Sequence, residues 1–183
     1  MRGRRKRWVI ALAAIDAAAL ALAGCSGGGG LPGAGLGGGG GPLPYQYANA
    51  MMPQGYSESI IGPDRYRIEV RGPVNTPRER LEKIATTRAA EIGKDNRLGF
   101  FKIDGVQQTN HCQKYTAGGG RGGNGAEQKR SAYTVFTADV SYTRTPPDAS
   151  YIEAKPAFEQ YRAALDTDGP PPPLDAALTA QCG

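Results

Sequence analysis

The chain has 183 residues with 22 basic and 17 acidic side chains, a length that fits one domain with tails. The formal charge of +5 does not mark a nucleic-acid binder, because five basic residues (Arg2, Arg4, Arg5, Lys6, Arg7) and one acid, Asp16, fall within Met1–Cys25. The remainder is nearly balanced, at about +1, and the 27 glycines crowd Gly24–Gly41 and Gly118–Gly125, stretches too poor in apolar side chains to build a core.

Met1–Arg7 is a positive leader and Trp8–Ala23 an apolar run, followed by Leu22-Ala23-Gly24-Cys25. Small residues before a cleavage point admit an extended backbone to a peptidase. Ending in a cysteine, they resemble the lipobox of bacterial lipoprotein signals, which implies residues 1–24 as signal peptide and Cys25 as the lipidated new N-terminus. Asp16 interrupts the run, at a cost of roughly 2.5–3.5 kcal/mol for a charge in an apolar helix. Two readings follow, an inefficient signal or a downstream start. Sixteen residues with a central Asp fall short of the ~20 that a membrane span needs, and Lys6-Arg7-Trp8 fits twin-arginine export poorly. In lipoproteins of this type Ser26 is compatible with outer-membrane sorting.

Residues 25–44 are the anchor and a Gly/Pro-rich linker, with Tyr45–Gln54 a transition. As a coil, Ser26–Pro44 spans about 24 Å. Asp64–Arg71 alternates, with Tyr66, Ile68 and Val70 on one side and Arg65, Arg67, Glu69 and Arg71 on the other. That pattern predicts a half-buried strand ended by Gly72-Pro73. Thr76-Pro77-Arg78-Glu79 reads as a capping box with Pro at the first helical position. It starts a helix over Pro77–Asn96 with a stripe of Leu81, Ile84, Ala85 and Ile92, and Asn96 as a left-handed cap. Arg88 falls within that stripe, so it must extend past the core edge or pair with a carboxylate, Glu58 and Glu69 being the candidates.

Phe100–Gln108 predicts a second strand with a bulge at Gly105, Thr116–Arg130 a Gly-rich loop, and Ala132–Arg144 a third strand. The third strand places Phe136, Ala138, Val140 and Tyr142 on one face. Pro146-Pro147 stops it. Glu153–Leu165 predicts a short helix with a Phe158, Tyr161, Leu165 stripe, and 167–183 a Pro-rich extended tail. The expected fold is α+β over 56–166: a small mixed or antiparallel sheet with one main helix on a face, in the order β-α-β-β-α.

Tyr56-Ser57-Glu58, Asp64-Arg65-Tyr66-Arg67-Ile68, Thr76-Pro77-Arg78-Glu79-Arg80 and Arg88-Ala89-Ala90-Glu91 stand in an order that resembles small uncharacterised lipoproteins of Gram-negative envelopes. Those have a signal, a short linker and a strand-helix-strand-strand domain. The resemblance covers about Tyr56–Tyr142 and brings no enzymatic role. This chain differs in its longer Gly linker, its Gly-rich hairpin loop and its Pro-rich tail.

His111, the one histidine, precedes Cys112, but neighbours on an extended chain point to opposite faces and no second His is present to act as base or metal ligand. The Gly118–Gly125 run lacks the Gly-Lys-Ser/Thr ending of a phosphate cradle. Carboxylates are scattered, so neither a metal nor a cofactor is expected. Arg65, Arg67 and Arg71 share a face with Glu69, either a solvated self-paired face or a stripe for acidic glycans or lipid headgroups. With Cys25 committed to lipid, Cys112 and Cys182 are an even pair in an oxidising compartment and are expected to form a disulfide. The competing reading is two unrelated thiols, or a bridge from Cys182 to another chain. The sequence thus points to a lipoprotein anchored to the cell envelope, on the outer membrane facing the periplasm. Its expected role is non-catalytic, structural or in binding an envelope protein. A lipid- or glycan-binding module is the first alternative; the lone His and absent acid pairs argue against a hydrolase.

Overall fold

A computed structural model describes residues 41–117, 127–177 and 182. The described fold is α+β. Its elements are β1 (Gly55–Gly62), β2 (Arg65–Pro73), α1 (Arg78–Asp95), β3 (Phe100–Ala117), β4 (Glu127–Thr143), β5 (Ile152–Glu153) and α2 (Ala154–Leu165). They build one five-stranded antiparallel sheet in the order β1-β2-β4-β3-β5. The expected order β-α-β-β-α is therefore extended by two strands at the sheet edges.

β1 escapes the alternation rule because its core-side positions are polar or bent away. Glu58 and Tyr56 pair in register with Ile68 and Val70, so they lie on the helix side, whereas Ile60 is 73% exposed. Pro63 and Asp64 turn β1 into β2, and Asp64 takes the left-handed backbone (φ 49°) that follows a proline in a tight turn. β2 and β4 behave as the alternation predicts: Ile68, Val70, Phe136, Ala138 and Val140 are fully buried.

α1 covers this face. Leu81, Ile84, Ala85 and Ile92 are all buried, so the predicted stripe is the packed one. The start differs from the expected capping box. Pro77 is itself the N-cap, with ψ 138° outside the helical range, and no side chain caps the helix. Thr76, instead of capping, sits close against Gly72, where a Cβ would approach its Oγ1 to 2.8 Å. At the other end Arg97, not Asn96, takes the left-handed conformation (φ 56°). The Leu98 N–H reaches the Gly93 carbonyl at 2.9 Å and the Arg97 N–H the Lys94 carbonyl at 3.3 Å, the paired bonds of a Schellman ending.

β3 and β4 run further than expected, to Ala117 and from Glu127, with the irregularity at Ile103/Gly105 where the bulge was expected. β2 pairs with β4 only from Tyr133 onward, so residues 112–117 and 127–132 continue as a two-stranded arm beyond the end of β2. Leu43, expected within the linker, is buried in the core. The Tyr45 and Tyr56 rings lie 4.8 Å apart, and the Tyr56 N–H bonds to the Gln46 carbonyl at 2.8 Å. The Pro-rich tail is non-helical through Asp175 but docked: Asn75 Nδ2 donates to the Pro172 carbonyl at 2.7 Å.

α2 packs on α1 at Gly93, where an added Cβ would stand 2.8 Å from the Ala154 Cβ and 3.3 Å from the Tyr142 ring. The glycine that weakens the helix end by propensity is thus the residue that lets the two helices close. Gly93→Val is expected to destabilise by about 1–3 kcal/mol through overpacking. The check is a urea unfolding midpoint that falls with an unchanged slope; an unmoved midpoint would contradict this packing.

Candidate functional site

Arg80 is buried, at 7% exposure, and its guanidinium holds three segments together. Its Nε and Nη2 donate to the Leu43 carbonyl at 2.9 and 2.6 Å. Its Nη1 donates to the Leu165 carbonyl and, at 2.8 Å, to Asp168. Lys83 also donates to Asp168. Burial works against the Asp168 charge, but the hydrogen bonds from Lys83 and Arg80 outweigh it and hold the carboxyl below its ordinary range. A cavity of about 170 Å³ opens beside this knot, between Pro42, Pro77, Lys83 and Pro170. Two cations and two carboxylates, Asp168 and Glu79, line it, so it presents no net charge.

Arg88 forms the second cluster. It bonds to Glu58 at 2.7 Å and to Glu91 at 2.6 Å, with 20% of its side chain exposed. Its guanidinium lies 5.0 Å from the centre of the Tyr56 ring. Glu58, on β1, is one of the two expected partners. Glu69, the other, lies on the opposite face of the sheet. Glu91, three residues along α1, was not foreseen, though the i, i+3 spacing signals it. Desolvation opposes the Arg88 charge, and the bonds to Glu58 and Glu91 more than restore it. Tyr45 donates to the same Glu91 at 2.6 Å. Burial and that carboxylate push its hydroxyl well up, so it stays a donor. The cluster binds the segment before β1 to the helix.

The expected binding face lies on the sheet surface away from the helices. Arg67 is a register partner of Asp139 and grips it at 2.7 and 2.9 Å, which keeps the Asp139 carboxyl low. Arg71 lies 3.7 Å over the Tyr133 ring and bonds to Gln113, while His111 stacks on the same ring at 5.3 Å. The strand order β2-β4-β3 places Tyr133 between the two. Among the described residues Arg65 makes no ion pair. Two of the three arginines are therefore engaged within the sheet.

His111 faces this outer surface, with Thr109 Oγ1 2.8 Å from its Nε2. Cys112 points the other way and is bonded to Cys182, with Cα atoms 5.3 Å apart. The nucleophilic pairing of the two neighbours is thus absent, for the parity reason given by the strand. The disulfide brings the tail to the root of the β3–β4 arm, where Arg130 Nη1 donates to the Cys182 carbonyl at 3.0 Å. Among the described residues no three His, Cys, Asp or Glu side chains gather as around a metal ion, and no helix is long and apolar enough to cross a membrane. Cys25 and the Gly118–Gly125 run lie outside the described residues. No protein-family model, curated protein or solved structure matches the chain.

Arg88→Met is expected to destabilise by about 1–3 kcal/mol, since it leaves two half-buried carboxylates facing each other without a cation. A denaturation curve checks it, and wild-type stability would remove Arg88 from the structural set. The Asp168 contribution is fully present above the ordinary carboxylate pKa of ~3.9 and is lost as pH falls through its lower folded value. The melting difference between wild type and Asp168→Asn is therefore expected to be constant near neutrality and to shrink below about pH 4. Breaking the disulfide closes off a chain-entropy gain of about 4 kcal/mol for a 70-residue separation. The measured loss is expected to be smaller, because the freed tail can undock locally while Arg80 still holds Asp168. Urea titrations with and without reductant give that number.

Proposed function

We propose that the protein is a lipoprotein of the bacterial cell envelope, anchored through Cys25, with a non-catalytic structural or protein-binding role at the outer membrane. The observation that carries the reading is the division of the three cysteines. Cys112 and Cys182 are joined to each other, which suits an oxidising compartment outside the cytoplasm, and this leaves Cys25 for the lipid as the Leu22-Ala23-Gly24-Cys25 motif requires. The resemblance to small envelope lipoproteins supports the same address. A non-catalytic role is favoured by the engagement of Cys112 in a disulfide, of His111 on the Tyr133 ring, and of Glu58 and Glu91 with Arg88.

Metabolic labelling with a clickable fatty acid tests the anchor. Wild type is expected to be labelled and to sediment with membranes, and Cys25→Ala to be unlabelled and released or mislocalised, since acyl chains add about 0.8 kcal/mol per buried CH₂. An unlabelled, soluble wild-type protein refutes the reading. Crosslinking in intact cells then identifies the envelope partner.

A further inference from the structure

We propose that the open edge of β1 pairs with the same edge of a second copy of this chain, antiparallel and about a two-fold axis at Ile60. β1 is the outer strand of the sheet, bonded on one side to β2. On its other side Tyr56 is already occupied. The Tyr56 N–H donates to the Gln46 carbonyl at 2.8 Å, and the Tyr56 carbonyl accepts the Ala48 N–H at 2.7 Å. Backbone groups alternate sides along a strand, so those of Glu58 and Ile60 point the same way as those of Tyr56. Among the described residues neither bonds to another backbone on that side. The edge is also apolar. Among the described residues, five of the eight large hydrophobic side chains that stand exposed are Tyr47, Met51, Met52, Ile60 and Ile61, on β1 or the segment leading into it. Edge strands are ordinarily guarded by lysine, proline, a bulge or an inward charge. β1 contains no Lys, Arg or Pro, its irregularity lies past Ile60, and its one charge, Glu58, is held by Arg88.

The occupant follows from the length and symmetry of the opening. Gln46 and Ala48 close the edge at Tyr56, and the turn into β2 closes it after Gly62. The free stretch is therefore Glu58–Gly62, and Ile60 is its centre. A second copy turned about a two-fold fits this stretch against itself and sets Ile60 directly opposite its counterpart. The N–H and C=O of Ile60 then exchange hydrogen bonds with those of the counterpart, and two exposed side chains cover each other. Glu58 falls opposite Gly62, so the two carboxylates do not face each other. The far side of the sheet is a poor match for β1: β5 is two residues long, and β3 beyond it carries Lys102 and Asp104 beside the irregularity at Ile103/Gly105. Pairing β1 with that side would build an open head-to-tail filament, whereas β1 on β1 closes at two copies. The strip is narrow against the ~800 Å² per partner of a standard interface, so the dimer is weak and concentration-dependent.

The test uses the polypeptide from Ser26, which keeps every described residue and lacks the acyl site, so its outcome is independent of fatty-acid labelling. Sedimentation velocity from low micromolar to about 1 mM is expected to show a monomer–dimer equilibrium that goes no further than the dimer. In amide spectra over the same range, the N–H groups of Glu58 and Ile60 are expected to shift and gain exchange protection. Those of Ser57 and Ser59, which face β2, are expected to hold still. Ile60→Lys and Ile60→Glu, each at an exposed site and each checked for a wild-type melting midpoint, are expected to dimerise at least about ten-fold more weakly alone. An equimolar mixture of the two is expected to regain the dimer, because opposite charges then meet across the axis. A wild type that stays monomeric to about 1 mM, or one that grows beyond the dimer, overturns the proposal. So does dimerisation that leaves the Glu58 and Ile60 amides unchanged, or a mixture that associates no better than either variant alone.

Discussion

The Arg80 guanidinium is the point at which three stretches far apart in sequence meet. A buried cation must be surrounded by carbonyls or carboxylates, because desolvation leaves it nothing else. Here the Leu43 carbonyl, the Leu165 carbonyl and Asp168 supply them. One charge therefore sets where the chain joins the domain, where α2 ends and where the tail turns back. From that turn the tail passes Asn75 and reaches the β3–β4 arm, where Cys182 is bonded to Cys112. The start of α1, which no side chain caps, follows Thr76, itself packed against Gly72 near the end of β2.

Among the described residues the sheet is covered on one side only, and the two faces are stabilised differently. On the helix side, apolar residues of β2 and β4 close against α1. Among the described residues the outer surface has no second layer and is held by cross-strand pairs, Arg67 with Asp139 and Arg71 over Tyr133 with His111 beyond it. β1 is a third case. It lies at the edge of the helix-covered side and extends the core with Glu58 and Tyr56, which meet Arg88 rather than an aliphatic neighbour. The segment from Leu43 to Tyr47 then seals that polar margin through Tyr45 and its bond to Glu91.

Elements whose burial is simple were legible in the sequence. Ile68 and Val70, or Phe136 through Tyr142, alternate because one face meets α1 and the other meets water. Leu81, Ile84, Ala85 and Ile92 recur at helical spacing because one stripe meets the sheet. β1 was hidden because its inward groups Tyr56 and Glu58 are not aliphatic and its two isoleucines, at the irregular end of the strand, are exposed. β5 is two residues long and exists only because Phe100 and Phe101 offer it an edge. The length of the arm was masked by polar residues on both faces, as expected of strands that project past the layer that would bury them.

By itself the sequence set the fold class, the packed stripes, the bulge near Gly105 and the parity that separates His111 from Cys112, and it made a Cys112–Cys182 bond the expected one among open alternatives. Each follows from local periodicity or from the count of a rare residue. Tertiary structure decided which charges are used up. Arg88 takes Glu58 and Glu91, Arg67 takes Asp139, Arg71 takes Tyr133, and Arg80, which nothing in its local pattern distinguished, became the buried knot. The partner of a charge depends on which distant backbone is brought within about 3 Å of it, and that distance is fixed by packing rather than by neighbours in the chain.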